Sequence, residues 1–361
     1  MNEMSEMSEL FSGTKEVDER FRFDEGALGA WMREKVDGFS GDVEVRQFKG
    51  GQSNPTYALR SKTGKEYVLR RKPPGKLLPS AHAVDREYKV LTALGQHSDV
   101  PVAKTWGLCE DESVIGTIFY VMDLVDGRVI WDQTLPDIEK SERRKYFDAM
   151  NDVVARLHNV DYKAVGLEDF GKPGNYVLRQ VSRWSKQYKL SETDKIEEMD
   201  RLMEWLPENV PDADATTVIH GDYRMDNMIF HPTKPEVVAV LDWELSTLGD
   251  PLADFAYHVM SWRLPGSLFR GIGGEDLDAL GIQHEEEYVR TYCERTGRDG
   301  IENWDYYLAY NMFRIAAILQ GIAGRVRDGT AASEHAKGQV DRIRPLAQHA
   351  WAQAEKVMKA G

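Results

Sequence analysis

The segment from His220 to Asp242 carries the side chains best suited to chemistry. Two short apolar runs within it, MIF and VVAVL, flank the polar loop HPTKPE, and this pattern predicts an antiparallel hairpin. The start of the first strand then lies beside the end of the second, so we expect Asn227 close to Asp242. An amide carbonyl and a carboxylate are hard oxygen ligands that suit Mg²⁺, which completes its shell with water and phosphates.

Asp222 lies on the loop that enters the same hairpin. A carboxylate there can accept or orient the proton of a hydroxyl group without binding the metal itself. His220 has two readings, as a residue that orients the loop through hydrogen bonds or as a direct participant. The segment therefore predicts phosphate chemistry, with a general base adjacent to a metal site.

The run HGDYRMDN, followed by LDWE, resembles the catalytic and metal-binding loops of aminoglycoside phosphotransferases and related small-molecule kinases. His220, Asp222 and Asn227 match the family's H-x-D-x-x-x-x-N positions. Asp242 matches the family's aspartate that stands in the place of the protein-kinase D-F-G motif. The resemblance implies an α+β, protein-kinase-like two-lobe fold with a small antiparallel-sheet N-lobe and a larger, mainly helical C-lobe. It also implies transfer of the γ-phosphoryl group of ATP, with Mg²⁺, to a hydroxyl; GTP stays open as the donor.

The same resemblance implies nucleotide-binding residues upstream. The loop KGGQSNP, with Gly50, Gly51 and Ser53, matches the loop over the nucleotide phosphates. Taken alone it is also an adequate hairpin turn, since neither a G-x-G-x-x-G nor a G-x-x-x-x-G-K-[ST] string occurs. The backbone groups of Asp123 and Val125 match the hinge that grips adenine.

A basic residue is expected to pair with Glu87. Helical periodicity over residues 81–94 puts Glu87 on an apolar face, where a buried carboxylate needs a cation whatever the function. Most kinases of this type keep a strand lysine as the partner, but YVLRRK offers Arg70, Arg71 and Lys72. We favour Arg70, which alternation places on one face with Lys72.

The remaining patterns distribute these residues over two lobes. The runs VEVRQF, TYALR and EYVLRR predict a small antiparallel sheet, and TIFYVM predicts a further buried strand before helical periodicity takes over. We predict an acidic flexible tail over residues 1–20, an N-lobe over 21–123 and a C-lobe over 124–361.

Three longer stretches of sequence indicate a subfamily within this resemblance. GQSNPTY, YVLRRKPPGKLLPSAHAVDREY and LDWELSTLGDPLADFAY look closest to the kinase-like domain that is fused to some acyl-CoA dehydrogenases. Asp250 and Asp254 in the last run are expected to hold structure, because carboxylates are favourable near a helix N-terminus.

Composition limits the partners. The chain has 46 Lys and Arg against 60 Asp and Glu, a formal charge of −14, which disfavours nucleic acid and anionic membranes. Two cysteines without metal or redox spacing predict a reducing, cytoplasmic setting. The N-terminus does not read as a secretory signal, and no apolar run is long enough to span a bilayer.

The expected partner is therefore a small-molecule hydroxyl compound. We rank a hydroxylated acyl thioester or another metabolic alcohol slightly above an aminoglycoside, and the sequence leaves the oligomeric state open. An alternative is a nucleotide-binding pseudokinase acting as a regulatory or scaffold module, prompted by the missing strand lysine; Asp222, Asn227 and Asp242 argue against it. A metal hydrolase would need more protein ligands, and no H-E-x-x-H is present.

Overall fold

The computed structural model describes residues 13–49, 54–73, 82–212, 215–329 and 338–360. Within these ranges the chain has the predicted α+β class, with antiparallel strands early and helices later. The strands are β1 (Thr14–Lys15), β2 (Val43–Phe48), β3 (Thr56–Ser61), β4 (Glu66–Arg71), β5 (Thr105–Cys109), β6 (Phe119–Asp123), β7 (Thr217–Ile219), β8 (Met228–Phe230), β9 (Val237–Val240) and β10 (Thr247–Gly249). The helices are α1 (Glu25–Lys35), α2 (Val84–His97), α3 (Lys140–His158), α4 (Tyr176–Ser191), α5 (Glu197–Glu208), α6 (Pro251–Val259), α7 (Gly266–Phe269), α8 (Leu277–Leu280), α9 (Glu285–Thr296), α10 (Trp304–Arg327) and α11 (Ile343–Ala360).

The predicted small sheet is present and has six strands in the order β1-β2-β3-β4-β6-β5. Neighbouring strands are antiparallel, with Val43 opposite Ser61 and Thr56 opposite Arg70. Alternate residues of β2 are buried, as expected for a strand with one face on a core. The apolar face of α1 packs into the same core as the inner residues of β2, β3, β4 and β6.

Strand β4 separates its two arginines onto opposite faces. Arg71 is only 2% exposed and donates hydrogen bonds to neutral oxygens: Tyr57 Oη at 3.1 Å, the Phe21 carbonyl at 2.8 Å and the Ile115 carbonyl at 3.3 Å. A buried cation needs such partners, and these donors hold the chain before α1 against the sheet. Arg71 is therefore structural, and Arg70 faces the other way.

The chain divides into two compact units. The first comprises Met1–Asp132, Lys163–Phe170 and Met225–Ser246, and the second comprises the rest. The sequence had placed the β8–β9 hairpin with the helical lobe, whereas the structure groups it with the six-stranded sheet.

Backbone hydrogen bonds explain why the hairpin belongs to the first unit. The Val240 N–H donates to the Pro101 carbonyl at 2.9 Å, and the Arg128 N–H donates to the Phe230 carbonyl at 2.8 Å. Beside this bridge, a Cβ on Gly127 would lie 2.4 Å from the Phe230 carbonyl oxygen. Only glycine allows the two backbones to approach so closely.

The second unit is built around α10. Its mostly apolar sequence is buried on nearly every side, because α4, α6 and α11 all pack against it. The short pair β7–β10 lies in the same unit and leads into the loop that carries Asp222. Across the described ranges, no helix is both long and apolar enough to cross a bilayer.

Candidate active site

The predicted hairpin geometry is present in the first unit. Strands β8 and β9 are antiparallel with Met228 opposite Val240, and the Leu241 N–H donates to the Asn227 carbonyl at 2.8 Å. Asn227 is thus held beside the residue that precedes Asp242. The backbone of Asp242 itself is left-handed, with φ 62° and ψ 64°.

Arg70 connects two carboxylates of this unit. Its Nε lies 2.7 Å from Glu87 Oε2, and its Nη2 lies 2.9 Å from Asp242 Oδ1. Burial by itself lowers the pKa of Arg70, but the negative charges around it, Glu87 foremost, outweigh burial and raise it above its usual range. The favoured pairing of Arg70 with Glu87 is confirmed, and the arginine also reaches the predicted metal ligand.

Glu87 is held by two further side chains that the sequence did not single out. Asn54 Nδ2 donates to Glu87 Oε1 at 2.8 Å, and Tyr120 Oη donates to Oε2 at 3.2 Å. Asn54 Oδ1 also lies 3.0 Å from His82 Nδ1. The carboxylate is only 2% exposed, and its burial raises the pKa of Glu87 above the usual value although Arg70, Tyr120 and Asn54 act in the opposite direction.

The predicted nucleotide residues divide into two groups. Gly50, Gly51 and Ser53 lie outside the described residues. Asp123 ends β6, where its N–H donates to the Lys104 carbonyl at 2.8 Å, and Val125 follows two residues later. The role of both in nucleotide binding stays a prediction.

The chemistry of the hairpin end fits Mg²⁺. Asp242 offers a carboxylate whose side chain is 37% exposed, and Asn227, the residue before β8, offers an amide carbonyl. Within the described ranges, no set of three or more His, Cys, Asp or Glu side chains is arranged to hold a metal. Mg²⁺ usually binds through one or two carboxylates and completes its shell with water and phosphate oxygens.

Asp222 lies in the second unit, in a turn that several side chains hold in place. Its Oδ1 accepts a hydrogen bond from Tyr257 Oη and lies 3.1 Å from Arg224 Nε. Arg224 Nη2 donates to Oδ2 at 3.3 Å, and the Asp222 N–H donates to His220 Nδ1 at 3.2 Å. His220 is fully buried. Its hydrogen bond to the Asp222 N–H is the kind of contact expected if His220 orients the loop.

Asp254 holds the backbone of the same turn. Its Oδ2 accepts from the His220 N–H at 2.9 Å and its Oδ1 from the Gly221 N–H at 2.8 Å, while His158 Nε2 lies 3.2 Å from Oδ2. Burial alone raises the pKa of Asp254, but the hydrogen bonds and charge of His158 and His220 outweigh it and lower the pKa. The carboxylate is structural as predicted, although it serves the loop rather than its own helix end.

Asp250 has the helix role that the sequence assigned. It is the N-cap of α6 and accepts from the Leu252 and Ala253 N–H groups at 2.8 and 3.3 Å. Burial nevertheless raises its pKa to about 6. The two aspartates therefore lie near the same helix end, but their pKa values are shifted in opposite directions.

Replacing Asp254 with Asn is expected to lower the free energy of unfolding by about 1–3 kcal/mol, because an NH₂ group would then face a backbone N–H. The folded pKa of Asp254 is depressed, so its contribution is present above the unfolded value of about 4 and is lost as the pH falls through the folded value. Urea titrations of both proteins from about pH 3 to pH 8 test this. The control is Asp328→Asn, which alters an exposed aspartate. Equal stability of the wild type and the Asp254→Asn protein at pH 7 would contradict the prediction.

Three side chains around Asp222 were missed or left unassigned. Arg224 is two residues from Asp222, inside the motif. Tyr257 comes three residues after Asp254, on the same face of α6. Arg314 interrupts an apolar helix, which signals a buried partner, and its Nη2 donates to the Gly221 carbonyl at 2.8 Å.

Comparison with known proteins gives concordant matches. A sequence model of the "Phosphotransferase enzyme family" (APH) matches residues 44–304. The chain is 46% identical to acyl-CoA dehydrogenase family member 10 of Mus musculus, with 95% of this chain and 32% of the relative covered. It is 40% identical to family member 11 of the same species, with 94% and 44% covered. The chain thus spans less than half the length of either relative.

A solved structure extends the comparison. The crystal structure of a candidate aminoglycoside phosphotransferase from Ralstonia eutropha JMP134 superimposes with a TM-score of 0.86 at 56% identity. The match covers 93% of this chain and 99% of that one. The likeness therefore extends over nearly the whole of both chains.

Proposed function

The chain belongs to the phosphotransferase enzyme family, and we propose that it is a small-molecule phosphotransferase, which transfers the γ-phosphoryl group of ATP to a hydroxyl group with the help of Mg²⁺. The observation that carries this proposal is the pairing of Arg70 with both Glu87 and Asp242. It links the cation expected at the nucleotide phosphates to the carboxylate expected at the metal.

The first unit would bind the nucleotide and the metal. Arg70 offers a planar guanidinium, which can contact phosphate oxygens through two parallel hydrogen bonds where a lysine would be a point charge. Asn227 and Asp242 would hold Mg²⁺, which neutralises charge on the phosphate oxygens when bound. Asp123 and Val125 would contact the base through their backbone.

Asp222 would act as the general base. The acceptor oxygen forms a bond to the γ-phosphorus while the bond from that phosphorus to the β,γ-bridging oxygen breaks. ADP leaves with the electron pair, and the hydroxyl proton passes to the carboxylate of Asp222. Asp222 suits this role because its side chain, 19% exposed, is ordered by Tyr257 and Arg224 yet reaches solvent.

The acceptor we favour is a hydroxylated acyl thioester or another metabolic alcohol. The relatives are called acyl-CoA dehydrogenase family members, which makes an acyl thioester a reasonable first acceptor class. The cationic Arg224 beside the general base is also better matched to a neutral or anionic acceptor than to a polycation. A regulatory pseudokinase finds no support in the names of these relatives.

The proposal is tested by incubating the protein with radiolabelled ATP, with and without Mg²⁺, against hydroxyacyl thioesters, simple alcohols and an aminoglycoside. We expect Mg²⁺-dependent label transfer to a hydroxyl compound, and ADP formation in proportion. Nucleotide binding without any transfer, to acceptor or to water, would instead favour the pseudokinase. A matched control with a deoxy analogue of the active acceptor should remove the transfer.

A further inference from the structure

Helix α6 contacts the Asp222 turn through two residues on one of its faces. Asp254 binds the backbone of the turn through the His220 and Gly221 N–H groups. Tyr257, one helical turn later, donates its hydroxyl hydrogen to Oδ1 of Asp222 itself. The helix therefore fixes both the path of the turn and the orientation of its carboxylate.

Tyr257 is suited to be a permanent hydrogen-bond donor. Its side chain is buried, at 4% exposure, and its ring packs edge-on against Phe269 with centroids 5.7 Å apart. Burial, and then the charge of Asp222, raise the pKa of Tyr257 well above its usual value. The hydroxyl therefore keeps its proton throughout the working pH range and cannot itself act as the base.

Arg314 provides a buried positive charge behind this contact. Its guanidinium lies 5.1 Å from the centroid of the Tyr257 ring, and its Nη2 donates to the Gly221 carbonyl. Arg314 is only 7% exposed, and burial by itself lowers the pKa of its guanidinium. The groups around it, Tyr310 first and with Tyr257 and Asp222 among them, nevertheless raise that pKa above its usual range, so Arg314 lies within electrostatic reach of both Tyr257 and Asp222.

Resting on the proposed role of Asp222 as general base, we propose that Tyr257 is a positioning residue for phosphoryl transfer, which holds Asp222 Oδ1 with Arg314 as its electrostatic support. Tyr257 contacts neither nucleotide nor metal in this scheme. Its contribution comes from restricting rotation of the Asp222 carboxylate, because a small misplacement of a general base costs much of its effect.

The test removes the hydroxyl by Tyr257→Phe, which keeps the ring in place. Mg²⁺-dependent ATP hydrolysis, with water as the acceptor, supplies kcat and KM without requiring the natural acceptor. We expect kcat to fall about 10-fold or more, as for a lost hydrogen bond to a charged group, while KM for ATP changes by less than about 2-fold. Tyr306→Phe is the control, because that buried hydroxyl donates to the Leu206 carbonyl instead.

A second arm repeats Tyr257→Phe in an Asp222→Ala background. If the tyrosine acts through Asp222, Tyr257→Phe should lower kcat and the urea midpoint less in the Asp222→Ala background than in the wild type. Equal losses in both backgrounds, or an unchanged kcat for Tyr257→Phe alone, overturn the inference while leaving the proposed function intact. An Asp222→Ala protein as active as the wild type overturns the proposed function instead, so the two failures are distinguishable.

Discussion

Replacing Asp222 with Ala is expected to lower the rate of phosphoryl transfer by about 10²–10⁴-fold, the usual contribution of a general base. Binding of a non-hydrolysable ATP analogue should be nearly unchanged, because Arg70, Glu87 and Asp242 do not depend on the Asp222 side chain. Isothermal calorimetry measures the binding, and radiolabel transfer measures the rate. The combination of intact binding with lost turnover is the specific expectation.

Glu236→Ala is the matched control for this prediction, since it removes an exposed carboxylate from the β8–β9 loop. Its activity should equal that of the wild type. Turnover by Asp222→Ala at more than about a tenth of the wild-type rate would remove the general-base assignment. A loss of nucleotide affinity together with activity would point to a disturbed fold instead.

Replacing Arg70 with Met is expected to lower the free energy of unfolding at pH 7 by about 3–5 kcal/mol, because it leaves Glu87 buried without its cation. Glu87 is 2% exposed and cannot turn to solvent without disrupting the contacts to Asn54 and Tyr120. The penalty should shrink as the pH falls, since the orphaned carboxylate can then take up a proton. Urea titrations at about pH 5 and pH 8 measure the difference.

Two further proteins sharpen this second prediction. The double variant Arg70→Met with Glu87→Gln removes both charges and should recover much of the lost stability. Arg60→Met, which alters a surface arginine 4.0 Å from Glu66 on the neighbouring strand, should cost no more than about 1 kcal/mol. Equal losses of unfolding free energy for Arg60→Met and Arg70→Met would show that the buried ion pair stabilises the protein no more than a surface pair does.

The family and fold could be identified from the sequence because their signals are local. HGDYRMDN and LDWE stand in uninterrupted runs, and the apolar stretches around HPTKPE define a hairpin that brings Asn227 beside Leu241, the residue before Asp242. Period-2 alternation likewise chose correctly between Arg70 and Arg71. The resemblance to the kinase-like domain of acyl-CoA dehydrogenases is confirmed by relatives of that name.

The surroundings of Asp222 could not be predicted in the same way. Tyr257 and Arg314 lie on two different helices, and the Arg314 contact to Gly221 spans 93 positions of sequence. Helical periodicity assigns such residues to packing faces but gives no information on which loop the faces contact. The grouping of the β8–β9 hairpin with the sheet could not be predicted either, because it depends on backbone hydrogen bonds to Pro101 and Arg128, which are distant in sequence.

The left-handed backbone of Asp242 restricts which amino acids this position can accept. Asparagine and aspartate enter that conformation at low cost and glycine at none, whereas an alanine must pay steric strain of about 1–2 kcal/mol. Position 242 is thus restricted by the conformation of the backbone, independently of the proposed role of its carboxylate in binding Mg²⁺. An asparagine variant would remove the negative charge and keep this backbone conformation, whereas an alanine variant would combine the loss of the carboxylate with strain in the turn.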